Sequence, residues 1–286
     1  MRLSDIARRL PEDIWAVFEP LLPPVVYQGT GRYPASNRAC FHGLLFVLIT
    51  GIGWDYVPRG FPCGKTIQNR LRQWLARDCF RQAWQQLAQR YECFRGINWD
   101  KILLDGSKKP AKKGGEDTGP SPVDRSKAGS AIHLATDEYG MPLAAVITAA
   151  GANDGVQTQK VLAALVLHPP PSETPVADRD PRDLPRARAD GQYGNGPTQQ
   201  RAEAAGFRMQ APKRGQTRQP GLGKIRSAVE RGHSFLAQFG RIARRLDRIT
   251  HRYLGWVPLA ATIIFLRAES HGFFGPRPLL DKCFFR

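Results

Sequence analysis

The stretch Ile102-Leu103-Leu104-Asp105-Gly106-Ser107 runs three apolar residues into an acid and then a glycine. A short apolar run bounded in this way suits a β-strand buried on both faces, and such strands carry functional groups at their carboxyl ends. The spacing therefore places the Asp105 carboxylate at the mouth of a buried strand. Taken alone, Asp105 reads more readily as a strand-ending residue that caps a turn. Two further acids change that balance. Asp190 follows Ala187-Arg188-Ala189 and precedes Gly191-Gln192-Tyr193-Gly194, so it also ends a short strand. Glu230 lies in Lys224-Ile225-Arg226-Ser227-Ala228-Val229-Glu230-Arg231, a run of good helix formers in basic sequence.

Two strand-end aspartates and one helical glutamate, far apart in the chain, suit a site that holds divalent metals on carboxylate oxygens. Two metals about 3.5–4 Å apart activate an attacking water or hydroxyl on one side of a phosphodiester and stabilise the leaving oxygen on the other. Magnesium prefers oxygen ligands and is held by a few carboxylates together with substrate phosphates, so three acids suffice.

With these acids stand Leu104-Asp105-Gly106-Ser107, Ile132-His133-Leu134-Ala135-Thr136-Asp137-Glu138-Tyr139-Gly140-Met141-Pro142-Leu143, Ala189-Asp190-Gly191-Gln192-Tyr193, and the segment from Arg226 to Arg231. In this order the set resembles the insertion-sequence transposases of the IS-five type over roughly residues 10–268. The resemblance implies a ribonuclease-H-like catalytic domain with Asp105, Asp190 and Glu230 as catalytic metal ligands. It also implies two magnesium (or manganese) ions, terminal inverted repeats and target DNA as partners, and a homo-oligomer when two ends are brought together. Arg226, one helical turn before Glu230, matches the arginine of the family's Arg-x-x-x-Glu signature. The broader signature has a tyrosine three residues before that arginine and a lysine seven after the glutamate, where this chain has Gly223 and Ala237.

Composition agrees with a polyanionic partner. The 286 residues carry a formal net charge of +17, which favours binding to nucleic acid. Ribosomal or membrane-surface binding fits the charge equally well, and it is the acids that separate those readings. Five cysteines, at 40, 63, 79, 93 and 283, form no Cys-x-x-Cys pair, which argues against a disulfide framework and a zinc ribbon. No secretory leader is expected from the charged N-terminus. The apolar runs 44–49 and 257–266 fall short of the ~18 residues of a membrane span. A cytoplasmic, nucleoid-associated protein is the expectation.

Along the chain, residues 4–22 read as a helix interrupted at Pro11, residues 27–34 as a loop, and residues 37–50 as a buried helix. Residues 65–75 form the next helix, with Ile67, Leu71, Trp74 and Leu75 on one face. Its other face carries Lys65, Gln68, Asn69, Arg72 and Gln73, residue types that contact base edges in the major groove. A plain surface helix is the alternative. A helix at 80–91 and a boundary at 95–97 close a small all-α, helix-turn-helix domain over residues 1–95.

Residues 96–268 then read as an α/β domain, a mixed sheet with flanking helices. Residues 108–127 are expected to form a basic loop with Lys108, Lys109, Lys112 and Lys113 available to phosphates. Residues 129–136 and 141–148 form a hairpin. His133 reads first as a strand histidine satisfied by a neighbour, and Asn153 and Asp154 as groups supporting Asp105. A helix is expected over 157–167, another over 198–205, a strand over 207–211, and a last helix over 252–267 kinked at Pro258. From residue 208 to 252 twelve Lys or Arg stand against Glu230 and Asp247, so a DNA phosphate track past Lys213, Arg214, Arg226 and Arg231 is expected beside Glu230. A metal-dependent nuclease on the same scaffold, or a transposase-derived DNA-binding protein without activity, are the alternative functions. Residues 269–286 read as a poorly ordered, dispensable tail.

Overall fold

In the computed structural model, residues 1–27, 29–171, 175, 179–212 and 222–274 are described, those of 222–226 without side chains. The N-terminal third is helical. Helices α1 (Leu3–Arg8) and α2 (Glu12–Phe18) are separated at Pro11, whose extended backbone sits at the N-cap of α2. Proline suits that place, because its missing N–H falls where no intrahelical partner exists. Helix α3 (Asn37–Thr50) starts on Ser36, whose Oγ accepts a hydrogen bond from the Ala39 N–H (3.2 Å). Residues 51–63 lead to α4 (Gly64–Ala76), and α5 (Cys79–Arg95) follows at once.

Strand β1 (Ile102–Pro110) begins the sheet, followed by β2 (Gly119–Pro120), β3 (Ala128–Thr136) and β4 (Pro142–Ala149). Then come α6 (Thr158–Ala163), β5 (Arg186–Arg188), α7 (Gly196–Ala204) and β6 (Arg208–Gln210). Helices α8 (Leu222–Ala237), α9 (Gly240–Ala243), α10 (Thr250–Leu254) and α11 (Trp256–Ser270) complete the order. The strands lie in the order β2-β3-β1-β5-β6, with β4 also on β3. Strand β1 pairs antiparallel with β3 and parallel with β5, and β5 pairs parallel with β6. This mixed sheet flanked by helices, after a helical N-terminal region, is the expected fold. Among the described residues no helix is long and apolar enough to cross a membrane.

The helical region and the sheet share one apolar core, which runs from Ile6 through Phe41, Trp74 and Tyr91 to Ile132 and Phe265. Polar contacts join them too. Trp84 Nε1 of α5 donates to the Pro142 carbonyl (3.0 Å), and the Tyr91 hydroxyl donates to Asp137 Oδ2 (2.5 Å). Asp137 Oδ1 accepts the Tyr139 and Met141 N–H groups (2.9 and 2.8 Å) that turn the β3–β4 hairpin. A buried carboxylate satisfied on both oxygens is a structural group.

Four expectations are corrected. The basic loop begins later than residue 108, because Lys108 and Lys109 pair with Ala131 and Ser130 as part of β1, and 119–120 form β2. The helix expected over 157–167 is only α6, preceded by a short 3-10 turn. Pro258 does not kink the last helix, since it lies in the first turn of α11, and the break falls at Gly255 after α10. The tail is not poorly ordered from residue 269. Helix α11 runs to Ser270, Phe274 is buried, and its ring lies 5.1 Å from Tyr91. The Arg95 guanidinium lies over both the Tyr139 and the Phe273 rings, at 4.1 and 4.2 Å. Residues 275–286 lie outside the described residues.

Phe274→Ala therefore removes a buried ring and is expected to lower unfolding stability by about 3–5 kcal/mol. Urea denaturation followed by tryptophan fluorescence measures it, and an unchanged midpoint contradicts the packing role of this segment.

Candidate active site

The ladder between β1 and β5 pairs Ile102 with Ala187 and Leu103 with Arg188. Asp105 lies two residues beyond Leu103, and Asp190 two residues beyond Arg188. Asp105 stands within β1, where it pairs with Leu134, and not at a strand end as expected, while Asp190 lies past the end of β5, beyond the paired residues. Both are partly exposed. Asp190 also caps the 3-10 turn Gly191–Tyr193, its Oδ1 accepting the Gln192 N–H at 2.9 Å. The turn-capping reading thus holds for one oxygen of Asp190, beside any other role.

Helix α8 packs on the same face. Ala228 and Val229 cluster with Leu103, the residue two before Asp105. The approach is close enough to need glycine: a Cβ at Gly140, whose φ is +86°, would lie 2.5 Å from the Ala228 carbonyl oxygen. Glu230 is exposed on this helix. One turn later His233 is buried with 8% exposure, and its Nε2 lies 3.7 Å from Asp105 Oδ2. Neither ring nitrogen has a hydrogen-bond partner. Burial pushes the imidazole down to about 4, helped by the Lys109 ammonium and opposed by the polar backbone of Asp105.

Two groups join the three expected acids. Asp154 lies against Gly106, where an added Cβ would stand 2.6 Å from its Oδ1. The same Oδ1 is 3.3 Å from His133 Nδ1, and His133 Nε2 is 2.7 Å from Thr148 Oγ1. Only Nε2 of His133 therefore has the hydrogen-bonded neighbour expected of a strand histidine, Nδ1 and Asp154 Oδ1 making no hydrogen bond, and burial lowers its pKa despite the facing Asp154. Tyr193 is buried, and its phenol is pushed up by burial and then by the charges of Asp154, Asp105 and Asp190. The charges of three carboxylates therefore act on one buried phenol. Tyr193 and His233 escaped the reading of the sequence, although each stands three residues after an expected acid, a spacing that brings side chains together on a helical turn.

The expected DNA contacts fall in two places. Lys65, Asn69 and Arg72 are exposed on the outer face of α4, with Gln68 half-buried between them. Arg72 is hydrogen-bonded to Asn69. On α8, Arg231 is exposed and donates to the Tyr139 carbonyl (3.2 Å), which ties the helix to the hairpin. Lys213, Arg214 and the side chain of Arg226 lie outside the described residues. Lys109 points to the same face of β1 as Asp105, four residues on, and burial lowers its pKa.

Carboxylate oxygens of Asp105 within β1 and of Asp190 just past β5, with the His233 imidazole beside the first, are donors that suit a divalent ion. Among the described residues no three His, Cys, Asp or Glu side chains stand close enough together to hold one. Binding would draw the acids inward.

Gly106 is where this geometry is tightest, between Asp105 and the Asp154 carboxylate. Gly106→Ala is expected to displace Asp154 and cost about 1–3 kcal/mol of stability, read by thermal unfolding. An unshifted transition contradicts the packing of Asp154 under β1.

Comparison with known proteins gives these features a family. A family model described as "Transposase DDE domain" matches residues 100–265, and one described as "Putative transposase of IS4/5 family" matches residues 10–84. The putative transposase for insertion sequence element IS402 of Burkholderia cepacia is 32% identical over 150 residues, 51% of this chain and 67% of that protein. An insertion element IS402 uncharacterized 16.2 kDa protein from the same organism is 33% identical over 118 residues, 40% of this chain and 80% of that protein. No solved structure matches. The match over β1, β5 and α8 spans more than half of the chain and includes all three expected acids, so this chain belongs to the IS4/5 family of transposases, with a DDE domain.

Proposed function

We propose that the chain binds the terminal inverted repeats of an insertion element and cuts and rejoins DNA at Asp105, Asp190 and Glu230. The observation that supports this most is the parallel pairing of β1, which carries Asp105, with β5, which Asp190 follows by two residues, with the helix of Glu230 packed against β1. Two divalent ions, magnesium or manganese, would supply activation of the attacking oxygen and stabilisation of the leaving oxygen.

The chain itself supplies position and charge. The parallel ladder brings β1, which carries Asp105, beside β5 and the turn that starts at Asp190, which would limit the ordering needed when substrate arrives. Lys108 and Lys109 follow Asp105 on β1, and the exposed Lys112 and Lys113 lie just beyond it, where they can hold the phosphates on either side of the scissile bond. In the first step water attacks the phosphodiester at the element end, and a 3'-hydroxyl leaves. In the second step that hydroxyl attacks a target phosphodiester, forming one bond and breaking one. Joining two ends at one target calls for at least two copies of the chain. This reading places the protein with the nucleoid, in the cytoplasm.

Substituting Asn for Asp105 or Asp190 keeps the shape and removes the charge. Each variant is expected to lose cleavage of inverted-repeat DNA in magnesium by at least 10²-fold, with binding to the same DNA retained in a gel-shift measurement. Wild-type rates in Asp105→Asn would remove the assignment. New ends without strand-transfer joints in the wild type would favour a nuclease that only hydrolyses.

The face of α4 makes a separate claim, that Arg72, with Gln68 and Asn69, reads bases while Lys65 holds a phosphate. Arg72→Ala is expected to weaken binding to the cognate repeat by about 1–3 kcal/mol, with little loss on random DNA. Equal losses on both would make α4 a phosphate binder, and no loss on either an ordinary surface helix.

A further inference from the structure

His233 is the group that the three-acid reading does not use. It is more than nine-tenths buried, yet neither ring nitrogen has a hydrogen-bond partner. Buried polar groups are rarely left so, because an orphaned group loses its water without replacement. The ring is also aimed. Its Nε2 lies 3.7 Å from Asp105 Oδ2, which is too far for a hydrogen bond. Two ligands each about 2.1 Å from one ion lie at most about 4.2 Å apart, so 3.7 Å fits two donors that share a cation.

The position on the fold agrees. His233 follows Glu230 by three residues on α8, so both project toward neighbouring parts of one helix flank. The preceding residues Ala228 and Val229 press that helix against Leu103, and Leu103 precedes Asp105 by two on the same strand face. Strand and helix thus hold the imidazole and the Asp105 carboxylate toward each other. Among the described residues Lys109 is a charge here that opposes a cation, and burial disfavours its protonated form.

We propose that His233 Nε2 is a further metal ligand of this site, sharing one divalent ion with Asp105. The inference rests on the reading of Asp105 as a metal-holding residue. A nitrogen donor among carboxylates alters selectivity, because imidazole favours transition-metal ions, whereas magnesium is held almost wholly by oxygen. The site is therefore tuned toward manganese more than three carboxylates alone would be.

The test uses the full chain without DNA and one equivalent of Mn²⁺, read by pulsed electron paramagnetic resonance and by titration calorimetry. In the wild type the bound Mn²⁺ is expected to show nitrogen modulation that changes when histidine is supplied as the ¹⁵N form. His233→Gln removes the modulation and weakens Mn²⁺ binding on the order of tenfold, with a smaller loss for Mg²⁺. His133→Gln, the neighbouring histidine, keeps the modulation. Should His233→Gln fail to fold, the labelled wild type and the His133 variant still decide.

If Asp105→Asn abolishes Mn²⁺ binding while the wild type shows no nitrogen modulation, the carboxylate site stands and the role of His233 is overturned. If Asp105→Asn leaves Mn²⁺ affinity unchanged, the underlying reading of the site fails, and the assignment of His233 falls with it.

Discussion

The parallel pairing of β1 with β5 is the constraint on which the rest depends. A parallel ladder joins two strands that are far apart in sequence, and here it aligns Leu103 with Arg188. One residue of slip would move the turn that starts at Asp190 along β1, away from its present place beside it. Register is held by burial. Ile102, Leu103 and Leu104 are buried on β1 and Ala187 on β5, so a slipped pairing would expose apolar side chains. The hydrophobic pattern that makes β1 a strand thus also fixes where β5 and the turn after it lie beside β1.

The third acid arrives by a different route. Helix α8 is seated by small residues: Gly140 and Gly232 allow the hairpin and the helix to meet at backbone distance. The hairpin is in turn fixed by Asp137, which the Tyr91 hydroxyl reaches from α5. Arg95, also on α5, stacks on Tyr139 of the hairpin and on Phe273 beyond α11. The helical N-terminal region, the hairpin and the last helix therefore support the placement of α8. The helical N-terminal region and the sheet thus meet in a common core, joined by polar contacts from Tyr91, Trp84 and Arg95.

Much of this was legible in the sequence, and the reasons differ by element. Strand β1, the β3–β4 hairpin and the helices at 37–50 and 64–76 have strong apolar periodicity or turn residues, and they form as read. Lys108 and Lys109 misled because lysine has low strand propensity, whereas the ladder to β3 needs only their backbone groups. Pro258 misled because its effect depends on where the helix starts, a boundary that sequence locates to only a few residues. Phe273 and Phe274 carry no periodicity, and their burial follows from the surface that α5 and the hairpin present. At the site, Asp105 and Asp190 announce themselves as acids that end apolar runs. Tyr193 and His233 do not, since a tyrosine in a turn and a histidine in a basic helix have ordinary alternatives. Only the fold brings them against the acids.

The central claim is that strand register builds a metal-holding site from Asp105 and Asp190, with α8 alongside. It is tested most directly by a crystal structure of the full chain soaked in Mn²⁺, with anomalous scattering recorded at the manganese edge. The account predicts a peak within coordination distance of both the Asp105 and Asp190 carboxylates, about 2.1 Å from each bound oxygen. Manganese bound elsewhere, with this pair of carboxylates free of anomalous density at saturating ion, would contradict it.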